Sequence, residues 1–162
     1  MARVFISIGS NIDPRVNIPE CVHILEDRFG EMMMSPVYES EPVGFEGENF
    51  YNLVVGFDTD LAPEQLVKCL HDIEGGFDRS RDTGSYSPRT MDLDLLLYDD
   101  LVLEGDRLSV PREEILKYAF VLCPLADIVG SCTHPVNGRR YSDLWREFDK
   151  DGIMLRRVNL FD

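Results

Sequence analysis

Apolar residues fall at every second place near the start of the chain, with Val4, Ile6 and Ile8 in Arg3-Val-Phe-Ile-Ser-Ile-Gly9. That period of two predicts a strand, and Gly9-Ser10-Asn11 supplies the turn after it. The period then changes. Val22, Leu25 and Phe29 recur at helical spacing, with Ile24 widening the face. Asn17 or Ile18 before Pro19 predicts the helix start, and Gly30 its end. Strands are predicted over 33–39 and 50–58, separated by a loop rich in glycine and acids. Asp60-Leu-Ala-Pro-Glu64 opens a second predicted helix, with Leu66, Leu70 and Ile73 on its apolar face and Gly75-Gly76 as its stop. After a polar loop comes a short, strongly apolar strand over 91–98.

This order, β-α-β-β-α-β, predicts an α+β fold: a ferredoxin-like sandwich with two helices on one face of an antiparallel sheet. The C-terminal additions are a hairpin over 99–108, a segment around 111–126 and a helix over 141–148. The stretch from Arg156 to Leu160 reads equally as a strand or a tail. No repeat or linker interrupts the chain, so a single domain over 1–162 is expected.

With 44% apolar and 28% charged residues, the composition is that of a soluble globule. Its apolar runs are far shorter than the ~20 residues of a membrane span. The first residues lack the basic, apolar and small-residue succession of a secretory signal, so the cytoplasm is the expected compartment. Cys21, Cys69, Cys123 and Cys132 are scattered without a C-x-x-C pair. Buried free thiols are expected rather than a disulfide framework or a zinc site. A formal net charge of −14 argues against nucleic acid as a partner. A nucleotide is still compatible, because Arg79, Arg81 and Arg89 cluster locally, with Arg112 further on.

The sharpest chemical signal is Ser87-Pro-Arg-Thr-Met-Asp-Leu-Asp94. On a strand, Asp92 and Asp94 project to one side while Met91, Leu93 and Leu95 point to the other. Two adjacent carboxylates on an apolar strand suit a hard cation such as Mg²⁺, and Arg89 beside them suits a phosphate. The same pair also reads as solvated aspartates at a sheet edge, with Arg89 as their ion-pair partner. The loop 78–87 holds Arg79 and Arg81, spaced to fold over a polyphosphate or simply to face water. No Walker-type or dinucleotide-binding glycine motif is present. Tyr38, Phe45, Phe50, Tyr86 and Phe120 offer ring faces, and Asn52 offers an amide to read the rim of a planar heterocycle. Core packing is the competing account, and Tyr38 is assigned to it. His23, His71 and His134 are scattered and receive no catalytic role.

Taken together, Ile6-Ser-Ile-Gly-Ser-Asn11, Tyr38-Glu-Ser-Glu-Pro-Val-Gly44, Phe50-Tyr-Asn-Leu-Val-Val55, Pro88-Arg-Thr-Met-Asp-Leu-Asp-Leu-Leu-Leu97, Leu108-Ser-Val-Pro111 and Ala119-Phe-Val-Leu-Cys-Pro-Leu125 resemble the hydroxymethyldihydropterin pyrophosphokinase family over about residues 3–130. The resemblance implies transfer of pyrophosphate from the co-substrate ATP to 6-hydroxymethyl-7,8-dihydropterin, with release of AMP, in folate biosynthesis. It implies two Mg²⁺ ions on Asp92 and Asp94, and catalytic roles for those aspartates with Arg79, Arg81 and Arg89. Ser40, Val43, Phe50, Asn52, Tyr86 and Phe120 would bind the pterin. Glu74, Arg79, Arg81, Arg89 and Arg112 would serve the nucleotide. A monomer whose partners are these small molecules is expected. Four positions depart from the family's pattern. Arg112 stands where His is common, Tyr118 where a basic residue is, Tyr86 near a frequent Trp, and Glu41 where the pterin loop is often apolar. A related pterin or other hydroxymethyl substrate, or nucleotide or pterin binding without turnover, are the readings those departures leave open.

Overall fold

A computed structural model describes residues 1–42, 46–78 and 90–161. The elements run β1 (Ala2–Ser10), α1 (Pro14–Phe29), β2 (Met33–Met34), β3 (Val37–Ser40), β4 (Phe50–Thr59), α2 (Pro63–Asp78) and β5 (Asp92–Tyr98). Then follow α3 (Glu114–Lys117), α4 (Ala119–Val129), α5 (Tyr141–Glu147) and β6 (Leu155–Val158). The sheet has the strand order β5-β1-β4-β3-β6, with β2 also on β4, and every neighbouring pair is antiparallel. β1 and β3 therefore run the same way with β4 between them, and β4 and β5 likewise flank β1. These are the two split βαβ units of the ferredoxin-like fold. β6 extends the sheet, so the C-terminal stretch is a strand on β3.

Period-2 alternation divides the sheet's two faces. Val4, Ile6, Ile8, Leu53, Val55, Leu93 and Leu95 meet Ile18, Val22 and Leu25 of α1 and Leu66 and Leu70 of α2. Each such side chain contributes about 1.5–3 kcal/mol when fully buried. On the other face Phe5, Val54, Leu96 and Leu97 pack under Val121, Leu122 and Leu125 of α4 and Tyr141 of α5. Because α4 lies over only part of that face, the ends of β1, β4 and β5 remain accessible beside it.

Several boundaries differ from the sequence reading. α1 begins a turn earlier, at Pro14, whose fixed φ suits a first helical position. Asp13 caps it in the left-handed region, φ 40°, and its carbonyl accepts from the N–H groups of Val16 and Asn17. Pro19 thus lies inside the helix and deprives the Arg15 carbonyl of its donor. The buried stripe Ile18, Cys21, Val22 and Leu25 offsets that loss. α2 continues through Gly75-Gly76 to Asp78. Ile73 and Phe77, four apart, pack on the core from either side of the glycines and offset the ~1 kcal/mol each glycine costs.

The strand expected over 33–39 is divided at Ser35-Pro36 into β2 and β3, since proline cannot donate to a ladder. Ser35 spans the gap: its N–H donates to the Val54 carbonyl, and its hydroxyl accepts from the Val54 N–H, both at 2.9 Å. The hairpin over 99–108 reduces to a single bridge between Leu103 and Val110. All four cysteines are free, but Cys132 is exposed rather than buried. Among the described residues no helix is long and apolar enough to cross a membrane.

Candidate active site

The floor of the site follows from strand register. On β1, Gly9 lies opposite Asn52 of β4 on one side and Asp92 of β5 on the other, and Ser7 lies between Val54 and Asp94. Two transverse rows result, Asn52–Gly9–Asp92 and Val54–Ser7–Asp94, all on the face away from α1 and α2. Their ends are two strand spacings apart, about 10 Å. Gly9 has a steric reason: a Cβ built there would stand 2.6 Å from the Asn52 amide nitrogen. The amide rests in the space that a missing side chain leaves.

Asp92 and Asp94 share the cavity face of β5, while Leu93 and Leu95 enter the core beneath α1 and α2. The alternation then breaks. Leu95 opposes Ile6 and Leu97 opposes Phe5, so Leu96 is an extra residue in a bulge. Leu96 turns toward the cavity, and its carbonyl accepts from the Arg112 N–H at 3.0 Å. That bond fixes the backbone of Arg112 at the site's edge. Its guanidinium reaches two carboxylates, Glu114 through Nε at 2.7 Å and Asp94 through Nη2 at 3.5 Å.

Glu74 of α2 reaches the same edge of β5 from the core side. One carboxylate oxygen accepts the Leu93 N–H at 2.6 Å, and the side chain also hydrogen-bonds Asp92. Burial, followed by repulsion from Asp92 and Asp94, pushes the Glu74 carboxyl up to about 8; the Leu93 N–H pulls the other way. Asp94 rises to about 6, again through burial and then Asp92, with Arg112 opposing the shift. Carboxylates crowded in this way are short of positive charge. Among the described residues no cluster of three or more His, Cys, Asp or Glu side chains is poised on a metal. A pair of carboxylates matches Mg²⁺, which keeps several waters and takes other ligands from phosphates.

Across the floor the cavity becomes aromatic. About 260 Å³ is enclosed by Ser7, Gly9, Ser40, Glu41, Phe50, Asn52, Asp92, Asp94, Arg112, Glu114, Tyr118 and Phe120, with Leu96 and Val121. A benzene ring is held by a cavity of ~150 Å³, so two fused rings fit here. Tyr118 and Phe120 stack with centroids 5.0 Å apart and planes 16° from parallel. The Ser40 hydroxyl and the Asn52 carbonyl oxygen are buried in this cavity without a hydrogen-bond partner among the described residues. Leaving such an atom unpaired costs about 1–3 kcal/mol, which a ligand with N–H donors would recover.

Of the residues expected from sequence, the fold gathers Ser40, Phe50, Asn52, Phe120, Asp92, Asp94 and Arg112 around one cavity. Glu74 stands behind Asp92 rather than in the lining. Arg79, Arg81, Arg89, Tyr86, Val43 and Phe45 lie outside the described residues. Tyr38 packs in the core as expected, with its hydroxyl on the Asp127 carboxylate.

The comparison with known proteins agrees with this geometry. Residues 5–130 match the model of the 7,8-dihydro-6-hydroxymethylpterin-pyrophosphokinase family. The chain belongs to that family. It is 38% identical over 156 residues to the 2-amino-4-hydroxy-6-hydroxymethyldihydropteridine pyrophosphokinase of Pseudomonas aeruginosa, covering 93% of this chain and 94% of that protein. The Aquifex aeolicus protein of the same name is 34% identical over 138 residues, 84% of this chain and 86% of its own length. A crystal structure of Plasmodium falciparum HPPK-DHPS superposes with TM-score 0.71 at 15% identity, over 91% of this chain. This chain spans 44% of that longer one, and at such identity the likeness speaks for the fold alone.

Within this pyrophosphokinase chain, sequence reasoning passed over Ser7, Gly9 and Glu114. For the first two a signal existed: Ser7 and Gly9 are small residues alternating with the buried Ile6 and Ile8, which predicts a hollow on one face of β1. Glu114 carried no comparable signal, since its pairing with Arg112 is local but its place in the cavity depends on the contact of Arg112 with β5.

Proposed function

We propose that this cavity is where the chain performs its family's reaction, passing pyrophosphate from ATP to 6-hydroxymethyl-7,8-dihydropterin in folate biosynthesis. The hydroxymethyl oxygen bonds to the β-phosphorus, the bond from that phosphorus to the α-bridging oxygen breaks, AMP leaves, and the hydroxyl proton is released. The observation that carries the reading is the transverse row Asn52–Gly9–Asp92. It sets an amide with an unpaired acceptor two strands away from a carboxylate pair.

At the amide end, Asn52 and Ser40 read the pterin's polar rim, with Val43 assigned to the same substrate. Phe50, Phe120 and Tyr86 contact its faces and edge. At the acidic end, Asp92 and Asp94 would hold Mg²⁺, two ions in this reading. Bound there, Mg²⁺ supplies Lewis-acid neutralisation of phosphate charge. Arg112, whose N–H is bonded to the β5 bulge, would serve the phosphates together with Arg79, Arg81 and Arg89. Glu74 holds the β5 edge beside the nucleotide. Because little covalent help is needed in such transfers, positioning and electrostatics dominate, and no general base is assigned. With a net charge of −14, capture of ATP depends on these local cations against the field of the whole protein. A cytoplasmic, monomeric, single-domain enzyme completes the proposal.

The deciding experiment follows AMP release from ATP and Mg²⁺ with and without 6-hydroxymethyl-7,8-dihydropterin. Pterin-dependent AMP together with a pyrophosphorylated pterin supports the reading. A folded protein that releases none overturns it and favours another hydroxymethyl substrate or a binding role.

A further inference from the structure

Arg112 makes two ion pairs of unequal quality. Its Nε donates to Glu114 at 2.7 Å, a tight charge-assisted bond, whereas Nη2 stands 3.5 Å from Asp94, too far for a strong one. Its backbone is held by the Leu96 carbonyl, so any motion here belongs to the side chain alone. Both carboxylates and the guanidinium are about a third exposed or less, and all line the cavity. A divalent ion on Asp94 and the guanidinium compete for the same oxygens, and a hard dication repels the guanidinium besides.

We propose that Arg112 is a displaceable internal cation: it neutralises Asp94 before a divalent ion arrives, and the bond it already makes to Glu114 then retains it as the contact to Asp94 is released. Glu114 is accordingly a positioning residue that keeps the guanidinium at the rim of the cavity once Asp94 is engaged. This rests on the reading of Asp92 and Asp94 as the metal carboxylates. The unequal distances set the order of events, since the loose contact is released and the tight one retained. A guanidinium anchored along one edge by Glu114 keeps its remaining N–H groups for phosphate oxygens. Before a metal binds, the same arrangement lowers the charge on a crowded acidic cluster.

The test is direct binding of Mn²⁺, without ATP or pterin, measured from the electron paramagnetic resonance signal of the free ion. Wild type, Arg112→Gln, Glu114→Gln and the double variant are compared, with circular dichroism to verify folding and Asp94→Asn to verify the site. Arg112→Gln is expected to bind Mn²⁺ about tenfold more tightly, the effect of removing one cation at this separation from a partly exposed site. Glu114→Gln is expected to weaken binding severalfold, because Arg112 then settles on Asp94. In the double variant that loss should vanish, since there is no guanidinium left to release. A loss of equal size with and without Arg112 would mean that Glu114 acts only through its charge, which overturns the proposal. So would unchanged affinity in Arg112→Gln. If no variant binds Mn²⁺, the metal reading itself falls and this one with it. Failure of the catalytic reading shows separately, in the absence of pterin-dependent AMP.

Discussion

The two faces of the sheet are built from alternate residues of the same strands, and at the site end they have opposite characters. Beneath α1 and α2, β1 presents Val4, Ile6 and Ile8, all fully buried. One residue over, the same strand presents Ser7 and Gly9 to the cavity. β5 repeats the division, with Leu93 and Leu95 inward and Asp92 and Asp94 outward. A period of two thus lets a strand be core and active site at once, and substitutions one position apart should fail in different ways.

The largest effect is expected at the acidic end of the cavity face. Asp94→Ala should lower the rate of pterin-dependent AMP release by about a thousandfold or more, the scale on which charge-stabilising groups act. Its thermal stability should hold or rise, because a crowded carboxylate is removed. Turnover near wild type would dismiss the carboxylate pair from the mechanism.

On the core face, Ile8→Ala should do the reverse. Deleting this fully buried side chain is expected to cost about 3 kcal/mol, read from the denaturant midpoint. Pterin-dependent activity per folded molecule should stay near wild type. A large loss of activity without loss of stability would erase the distinction between the faces.

Gly9→Ala, next along the strand, adds only a methyl group but adds it on the cavity side. The new Cβ would lie 2.6 Å from the Asn52 amide nitrogen, so Asn52 must move. An ångström-scale misplacement of this kind costs about a hundredfold. It should appear in the KM for pterin and leave that for ATP near wild type. Equal changes in both would place Asn52 outside pterin recognition.

How far these roles could be read beforehand follows from the same contrast. Alternation announced the core of β1, and the D-x-D spacing put Asp92 and Asp94 on one side of β5, because both are properties of a single strand. The partnership of Gly9 with Asn52, 43 positions away, needed the register between β1 and β4. Local signals also lost to packing. Pro19 and Gly75-Gly76 read as helix boundaries, yet the buried stripes of α1 and α2 carried the helices through them. Arg112 was visible as a cation, but its approach to Asp94 goes with a backbone bond to Leu96, in a bulge that interrupts the alternation of β5.

Glu74 joins the two faces at the edge of β5 and gives the smallest effect. It belongs to α2, which packs on the core face, yet its carboxylate holds the Leu93 N–H and meets Asp92 on the cavity face. With Glu74 raised to about 8 and Asp94 to about 6, the folded protein binds these protons more tightly than the unfolded chain does. Their ordinary values are near 4, so between about pH 4 and 8 the contribution of these two groups to stability falls as pH rises. The buried ring of His134 resists protonation and acts in the opposite sense at the acidic end of the range. The clean measure is therefore a difference between proteins. In Glu74→Gln the amide oxygen can still accept the Leu93 N–H, and the NH₂ group can donate to Asp92 at every pH. In chelator, calorimetry should show wild type losing a few degrees of melting temperature relative to Glu74→Gln between pH 5.5 and pH 8.5. Mg²⁺ should narrow that gap at the higher pH by relieving the repulsion from Asp92 and Asp94. Parallel melting curves for the two proteins across this range would mean that Glu74 ionises at an ordinary pH, leaving the edge of β5 held by geometry alone.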